Sequence, residues 1–457
     1  MEALLRSIRN WLINSAFLRV LFISFVMLLL QIPIEMINSQ VSERNLTRLQ
    51  AVKDVTSKWG YGQNITGPRL VIPYFQIKTL TKSNGKTEQI RNKLYASFLP
   101  ESYKFNANIE NETRYRGMFE VPLYQTAINI KGHFSKPDFN RWGIDPKLVI
   151  WKEAEVILGI TDARGIQKQT HVIWNDKTYA FEPGMGKSAL NEQGFHTPLA
   201  DSFSKDTYNY DIKIVLNGSE QLFVAPIGKT SSIKMTSGWP DPSFQGYILP
   251  SKRTITTDGF NAEWEVTSIS RQYPQAWLQN KFDYNKIKNS LVGVKFISPI
   301  DNYRMTERSI KYVMLFLLFT FAVIWLMEVI ANVRVHLLQY LLLGLGLCLF
   351  YLLLLAFSEH IGFFAAYVIS SLAVITMISS YSLSVLKTGK RAGIVGAGVM
   401  ALYVYLYSLL QEQNYSLLFG SIGVFIALAA VMYITRNIDW FTPGSISSDQ
   451  PESSTPD

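Results

Sequence analysis

Residues 181–188, Phe-Glu-Pro-Gly-Met-Gly-Lys-Ser, end like a phosphate-binding loop, in which glycine amides cradle phosphate oxygens and a lysine neutralises them. The first glycine of such a loop would stand at Phe181, and no parallel-sheet nucleotide fold is evident around it. Gly184, Gly186 and Lys187 therefore read as a turn. The histidines are His133, His171, His196, His336 and His360, none with a second His or Cys at metal-ligand spacing, so no metal is expected. Neither a Gly-x-Ser-x-Gly elbow nor an HExxH pair occurs. Glu153 and Glu155 share one face if 147–159 is a strand, which is the spacing of an acid/base pair. Two solvated acids opposite an apolar face is the plainer reading, although Trp151 would share that acidic face. No cofactor and no enzymatic activity are expected.

More telling are ionisable groups beside long apolar runs. Glu328 lies near the end of one, Glu359 and His360 fall between two, and Arg304 and Arg308 precede one. A proton or ion pathway would want such groups at mid-membrane, facing one another. These stand at the ends, which predicts an interfacial or structural role. Tyr403, Tyr405 and Tyr407 offer polar handles between helices, with packing or interfacial anchoring as their ordinary use.

The elements that must position these groups are membrane helices, for which about 20 apolar residues suffice. The first run, about Val20–Ile37, follows Arg6, Arg9 and Arg19, and no small-x-small cleavage site follows it, so it reads as an uncleaved signal anchor. Later runs are about Tyr312–Ile330, Leu337–Phe357, Ile361–Val385, Ala392–Leu410 and Tyr415–Ile434. Arg334 with His336, Lys387 with Lys390 and Arg391, and Arg436 fall on one side of this alternation. Ser358-Glu359-His360 and Gln411–Asn414 fall on the other. The positive-inside rule then predicts six spans, both termini cytoplasmic and residues 38–309 outside.

The chain carries a net charge of +9, and residues 38–309 hold all of it, with 35 basic and 26 acidic side chains. Such a surface suits anionic lipid headgroups, envelope polymers or other envelope proteins. No nucleic-acid recognition module is visible. The sole cysteine, Cys348, lies in an apolar run, so the polar domain has no internal disulfide and must rest on its own core. Residues 41–59 read as a helix stopped by Gly60. Strands are predicted at 69–78, 93–100, 119–130, 147–159, 170–174, 209–216, 220–227, 263–269 and 292–298. Turns at Asn217-Gly218 and Trp239–Pro242 separate some of them, giving an antiparallel sheet or sandwich. Residues 437–457 have four acids and no Lys or Arg, and read as an unstructured tail.

Several phrases resemble one family, the CreD family of cell-envelope integrity inner-membrane proteins. They are DNYRMTERSIKY at 301–312, HLLQYLLLGLGLCLFYLLLLAFSEHIGFFAAY at 336–367, LYVYLYSLLQEQNYSLLFGS at 402–421 and YITRNIDW at 433–440, with weaker likeness in the opening anchor and in GPRLVIPY at 67–74. The resemblance implies an inner-membrane protein of Gram-negative-type bacteria, tied to envelope integrity and often to a two-component response, without assigned catalytic residues. The expected fold is a multi-pass α-helical membrane protein of six spans with a large β-rich extracytoplasmic domain. Its expected parts are a cytoplasmic segment 1–19, an anchor 20–37, a periplasmic domain 38–309, a five-span bundle 310–436 and a cytoplasmic tail 437–457. The expected role is non-enzymatic envelope maintenance or stress response, in contact with the lipid bilayer. The alternative is a transporter or lipid-handling protein.

Overall fold

A computed structural model of the chain describes residues 16–81, 87–186, 193–199, 203–296, 302–331, 335–411 and 415–436. Arg6, Arg9, Lys187, Arg334, residues 412–414 and the acidic tail lie outside the described residues. The chain divides into two compact units, a helical one from residues 1–47 and 300–457 and a β-rich one from residues 48–299.

In the helical unit, α1 (Ala16–Trp59) carries the first apolar run and continues without a break through residues 41–59. Pro33 lies inside it; apolar surroundings tolerate the lost amide donor where neighbouring groups satisfy the freed carbonyl. Val26, Leu30, Ile34, Ile37 and Val41 recur every three or four residues and are buried. Leu30 reaches Gly344 of α5 (Leu337–Ile361), where an added Cβ would lie 2.2 Å from the leucine Cδ1. Small residues permit such close helix approach where lipid offers no hydrophobic drive.

His336 caps α5: its Nδ1 accepts from the Leu338 amide at 3.2 Å, and Gln339 Oε1 accepts from the His336 amide at 2.8 Å. Before α5 come α3 (Asn302–Lys311) and α4 (Val313–Ala331), bent 48° from each other. After it come α6 (Phe363–Leu386), α7 (Gly389–Gln411) and α8 (Ser416–Thr435). Among the described residues, five helices are long and apolar enough to cross a membrane, six if α3 and α4 count as one bent span. Two details differ from the sequence reading. Ser358, Glu359 and His360 form the last turn of α5, leaving Gly362 as the hinge, and Lys390 and Arg391 open α7.

In the β-rich unit, α1 ends at Trp59; the Gly60 amide donates to the Thr56 carbonyl at 2.9 Å, and at φ +142° a Cβ on Gly60 would meet the Asn217 carbonyl. The nine-stranded sheet runs β13 (Pro242–Gly246), β17 (Val292–Phe296), β11 (Gln221–Val224), β1 (Gln63–Thr81), β5 (Glu155–Ile160), β9 (Gly194–Pro198) and β8 (Glu182–Pro183). On its flank, β2 (Thr87–Phe98) pairs with β1, and β16 (Ala276–Leu278) pairs with β2. The eight-stranded sheet runs β14 (Lys252–Thr256), β15 (Gly259–Thr267), β12 (Thr230–Ser237), β3 (Ser102–Arg116), β4 (Phe119–Ser135), β10 (Thr207–Ser219), β6 (His171–Trp174) and β7 (Lys177–Ala180). Buried side chains from both sheets, Trp174, Trp264, Tyr103, Ile72 and Leu222 among them, form one core, as in a sandwich.

The sheets are mixed rather than antiparallel throughout, since β1–β11 and β3–β12 pair in parallel. The small helix α2 (Asn285–Lys288) and several 3-10 turns complete this unit. The expected strand 147–159 exists only from Glu155. Asp145 Oδ1 accepts from the Lys147 amide at 2.9 Å and starts a 3-10 turn at Pro146, and another turn holds Trp151–Glu153. Glu153 and Glu155 therefore do not share a strand face. Asn217-Gly218 is no turn either; it continues β10 opposite Gln125 and Tyr124.

Candidate functional site: two carboxylate clasps

Glu328, in the last turn of α4, is 4 % exposed. Its Oε1 accepts from the Arg19 guanidinium of α1 at 2.6 Å and from the Val335 amide at 3.1 Å. Its Oε2 accepts from the Tyr340 hydroxyl of α5 at 3.1 Å. One carboxylate thus ties three helices. An isolated buried carboxylate would be costly, and three donors, one charged, offset much of that cost.

Glu359 makes a similar arrangement in the last turn of α5, with its side chain 8 % exposed. It accepts from the Tyr303 hydroxyl of α3 at 2.8 Å, and Arg44 of α1 stands 3.9 Å away. Helix α3 is the element that sequence reasoning missed as a helix. It buries Tyr303, Thr306, Ser309 and Ile310 along one side and leaves Arg304 on the exposed face. Its Asn302 donates to the Ser358 carbonyl at 2.9 Å. Its Arg308 donates to the carbonyls of Leu410 at 3.1 Å and Leu409 at 3.4 Å, placing a cation at the C-terminus of α7, where the helix dipole favours it. The structure therefore brings Glu359, Arg308 and the end of α7 under one strap and keeps Glu328 apart. His360 is exposed beside Glu359.

The two clasps lie at opposite ends of the bundle. Tyr340 and Glu359 are 19 residues apart on α5, about 28 Å of helix rise, and Arg19 and Arg44 are 25 apart on α1, about 37 Å. A hydrocarbon core is about 30 Å thick, and about 40–45 Å with its headgroups. Between the clasps the runs 20–34, 312–327, 337–358, 363–386, 392–410 and 415–435 contain no Asp, Glu, Lys, Arg or His. Polar contacts between helices there include two from tyrosines and one from a glutamine: Tyr367 donates to the Tyr403 carbonyl at 2.6 Å, Tyr405 of α7 donates to the Phe419 carbonyl of α8 at 2.5 Å, and the Gln31 amide of α1 lies 2.6 Å from the Met314 sulfur of α4. Tyr403 also packs its ring against Phe316 and Phe350. Two carboxylates so far apart are beyond direct proton transfer to each other, and each is bonded to side chains of neighbouring helices.

The β-rich unit carries a third polar knot, invisible in the sequence because its members come from separate strands and turns. Asp162 takes a two-pronged grip from Arg164 at 2.8 Å on each oxygen, and its Oδ2 accepts from the Tyr61 amide at 3.2 Å. Gln63 bonds both the amide and the carbonyl of Asp162 and also the Asn217 carbonyl, each at 3.2 Å. Burial pushes the Asp162 carboxyl up, but the hydrogen bonds from Arg164 and the amides of Tyr61 and Arg164 outweigh it and hold the pKa below its ordinary value. In the glycine-rich segment, Gly184 and Gly186 adopt positive φ, as a turn requires, and Met185 is buried. His196 Nδ1 lies 3.0 Å from the Gly184 carbonyl. Among the described residues no group of three or more His, Cys, Asp or Glu could hold a metal ion.

Comparison with known proteins agrees with this architecture. The model of the family described as "Inner membrane protein CreD" matches residues 15–441. The inner membrane protein CreD of Escherichia coli (strain K12) is 31% identical over 415 residues, which cover 91% of this chain and 91% of that protein. A match of that extent spans both the β-rich unit and the helices that carry the clasps, and the chain belongs to the CreD family of multi-pass inner-membrane proteins.

Proposed function

We propose that this protein is a non-enzymatic component of the inner membrane that contributes to cell-envelope integrity or to the envelope stress response. Its helices make six spans, with α3 and α4 as one bent span, both termini cytoplasmic and residues 38–309 periplasmic. The carrying observation is that the interiors of the spans have no Asp, Glu, Lys, Arg or His, while Glu328 and Glu359 at their ends accept hydrogen bonds from Arg19, Tyr340 and Tyr303. Membership of the family supports the same reading. The surplus of basic groups in residues 38–309 suits contact with anionic lipid or envelope polymer.

In a strain lacking the gene, detergent leakage should be restored to normal by the wild type. Glu328→Gln should fail to restore it in proportion to a fall in protein abundance. Full abundance with lost function would instead point to a chemical role for the carboxylate. For the orientation, Thr388→Cys in a variant without Cys348 should not react with an impermeant thiol reagent in spheroplasts; reaction would reverse the topology. Residues 38–309 should sediment with anionic but not neutral liposomes, and less so in high salt. Lipid handling is a second reading, favoured by an open apolar groove between α1 and α5.

A further inference from the structure

The groove has a volume of about 430 Å³, within the range of small-molecule sites. Pro33, Met36 and Ile37 of α1 form one wall, and Leu345, Leu349 and Leu352 of α5 the other. Apart from Gln40 at one end its lining is apolar, and Met36, Leu345, Leu349 and Leu352 are all substantially exposed. The wall positions on α1 follow one helical face that continues through Gln40, at the end of the groove, to Arg44. Those on α5 continue to Glu359. The groove thus rises, on the side of the bundle away from Arg19, toward a rim of mixed charge.

The rim has a specific pattern. Gln40 donates to the Glu43 carboxylate at 3.0 Å. Glu359 is hydrogen-bonded to Tyr303 at 2.8 Å and stands 3.9 Å from Arg44, whose side chain is half exposed. One guanidinium thus pairs with Glu359 at the mouth of the groove, and the Glu43 carboxylate meets Gln40 at its end. The exposed His360 follows Glu359 in sequence, the α3 groups Arg304 and Glu307 are exposed, and Arg308 donates to the α7 carbonyls. A wholly anionic headgroup would meet Arg44 and two repelling acids. A headgroup with both a phosphate and an amine would satisfy the guanidinium and a carboxylate together.

We propose that this groove holds one acyl chain of a zwitterionic aminophospholipid, with its phosphate on Arg44 and its ammonium beside Glu43. The inference rests on the membrane placement of the bundle and not on the envelope-integrity role. Moving an acyl chain from bilayer to groove gains no hydrophobic transfer energy, because both surroundings are hydrocarbon. Packing fills the groove, and the headgroup contacts decide which lipid stays.

Native mass spectrometry of the full-length protein, titrated with three lipids of identical acyl chains, tests this. Phosphatidylethanolamine should bind as one copy, more tightly than phosphatidylglycerol, with diacylglycerol weakest. Arg44→Gln should weaken phosphatidylethanolamine about fivefold, the scale of one basic contact at a lipid surface, and Arg44→Lys should restore most of it. Leu349→Trp and Met36→Trp alter exposed groove walls and should each displace the lipid without lowering the melting temperature. Equal binding of all three lipids, a preference for phosphatidylglycerol, or indifference to Arg44→Gln would overturn the proposal. So would a lipid-free dimer of wild type, which would give the groove to a second copy of this chain.

Discussion

Trp264 in the β-rich unit and Phe350 in the helical unit are both fully buried, yet the forces that bury them differ. Between two sheets in water, each apolar side chain gains transfer energy on folding, about 25 cal/mol per Å² removed from solvent. Polar groups there are satisfied locally, as at Asp162. Helices in lipid gain almost nothing by leaving hydrocarbon, so close packing and a few strong polar contacts must do the holding. The helical unit has these in Leu30 against Gly344 and in the two carboxylate clasps. Polar residues that would be incidental on a soluble surface there bond one helix to another.

The same truncation in the two units should therefore have unequal effects. Leu222→Ala in β11 should destabilise the β-rich unit by about 2–5 kcal/mol, the usual cost of a buried leucine lost from an aqueous core. Leu347→Ala in α5 is equally buried but should cost less by roughly the transfer contribution, ~2 kcal/mol. Hydrogen exchange in β11 and α5 of the purified full-length variants measures both; equal losses would erase the distinction. Overpacking sharpens it from the other side. Gly344→Ala sets a Cβ 2.2 Å from Leu30 Cδ1 and 3.0 Å from Phe321, and should destabilise the helical unit by about 1–3 kcal/mol while leaving β11 protection unchanged.

A smaller effect comes from acid. Folding lowers the Asp162 pKa, so this carboxylate adds stability at pH above its unfolded value of about 3.9, and that stability is lost as pH falls through the lower folded value. Denaturation followed by tryptophan fluorescence reports mainly on the β-rich unit, which holds seven of the ten tryptophans. Asp162→Asn should show a shallower loss of stability below about pH 4 than wild type. An identical acid profile in the two proteins would remove Asp162 from the account.

The spans were legible because an apolar run of about 20 residues has few other uses; the five later helices begin and end within a few residues of their runs, whereas α1 continues past its run to Trp59. Alternation likewise revealed much of β1, β4 and β10. It was missed in β3, although Tyr103, Phe105, Ala107 and Ile109 alternate with polar residues, because asparagines at 106, 108 and 111 are poor strand formers. The opposite error arose at 147–159, where apolar content suggested a strand and Asp145-Pro146 opened a turn. Glu328 and Glu359 stood out as ionisable groups beside spans, but their partners did not. Arg19 is 309 residues from Glu328, and no local pattern records such a pairing.

The central claim is that the carboxylates hold helices together, and a double-mutant cycle on Arg19 and Glu328 tests it most directly. Breaking a buried pair by removing one partner costs about 3–5 kcal/mol, and the 30% exposure of the Arg19 side chain reduces this to roughly 2–3 kcal/mol. In unfolding of the full-length protein, Arg19→Met and Glu328→Met should each cause such a loss, and the double variant should recover most of it. Additive losses, or no loss from either single change, would contradict the account.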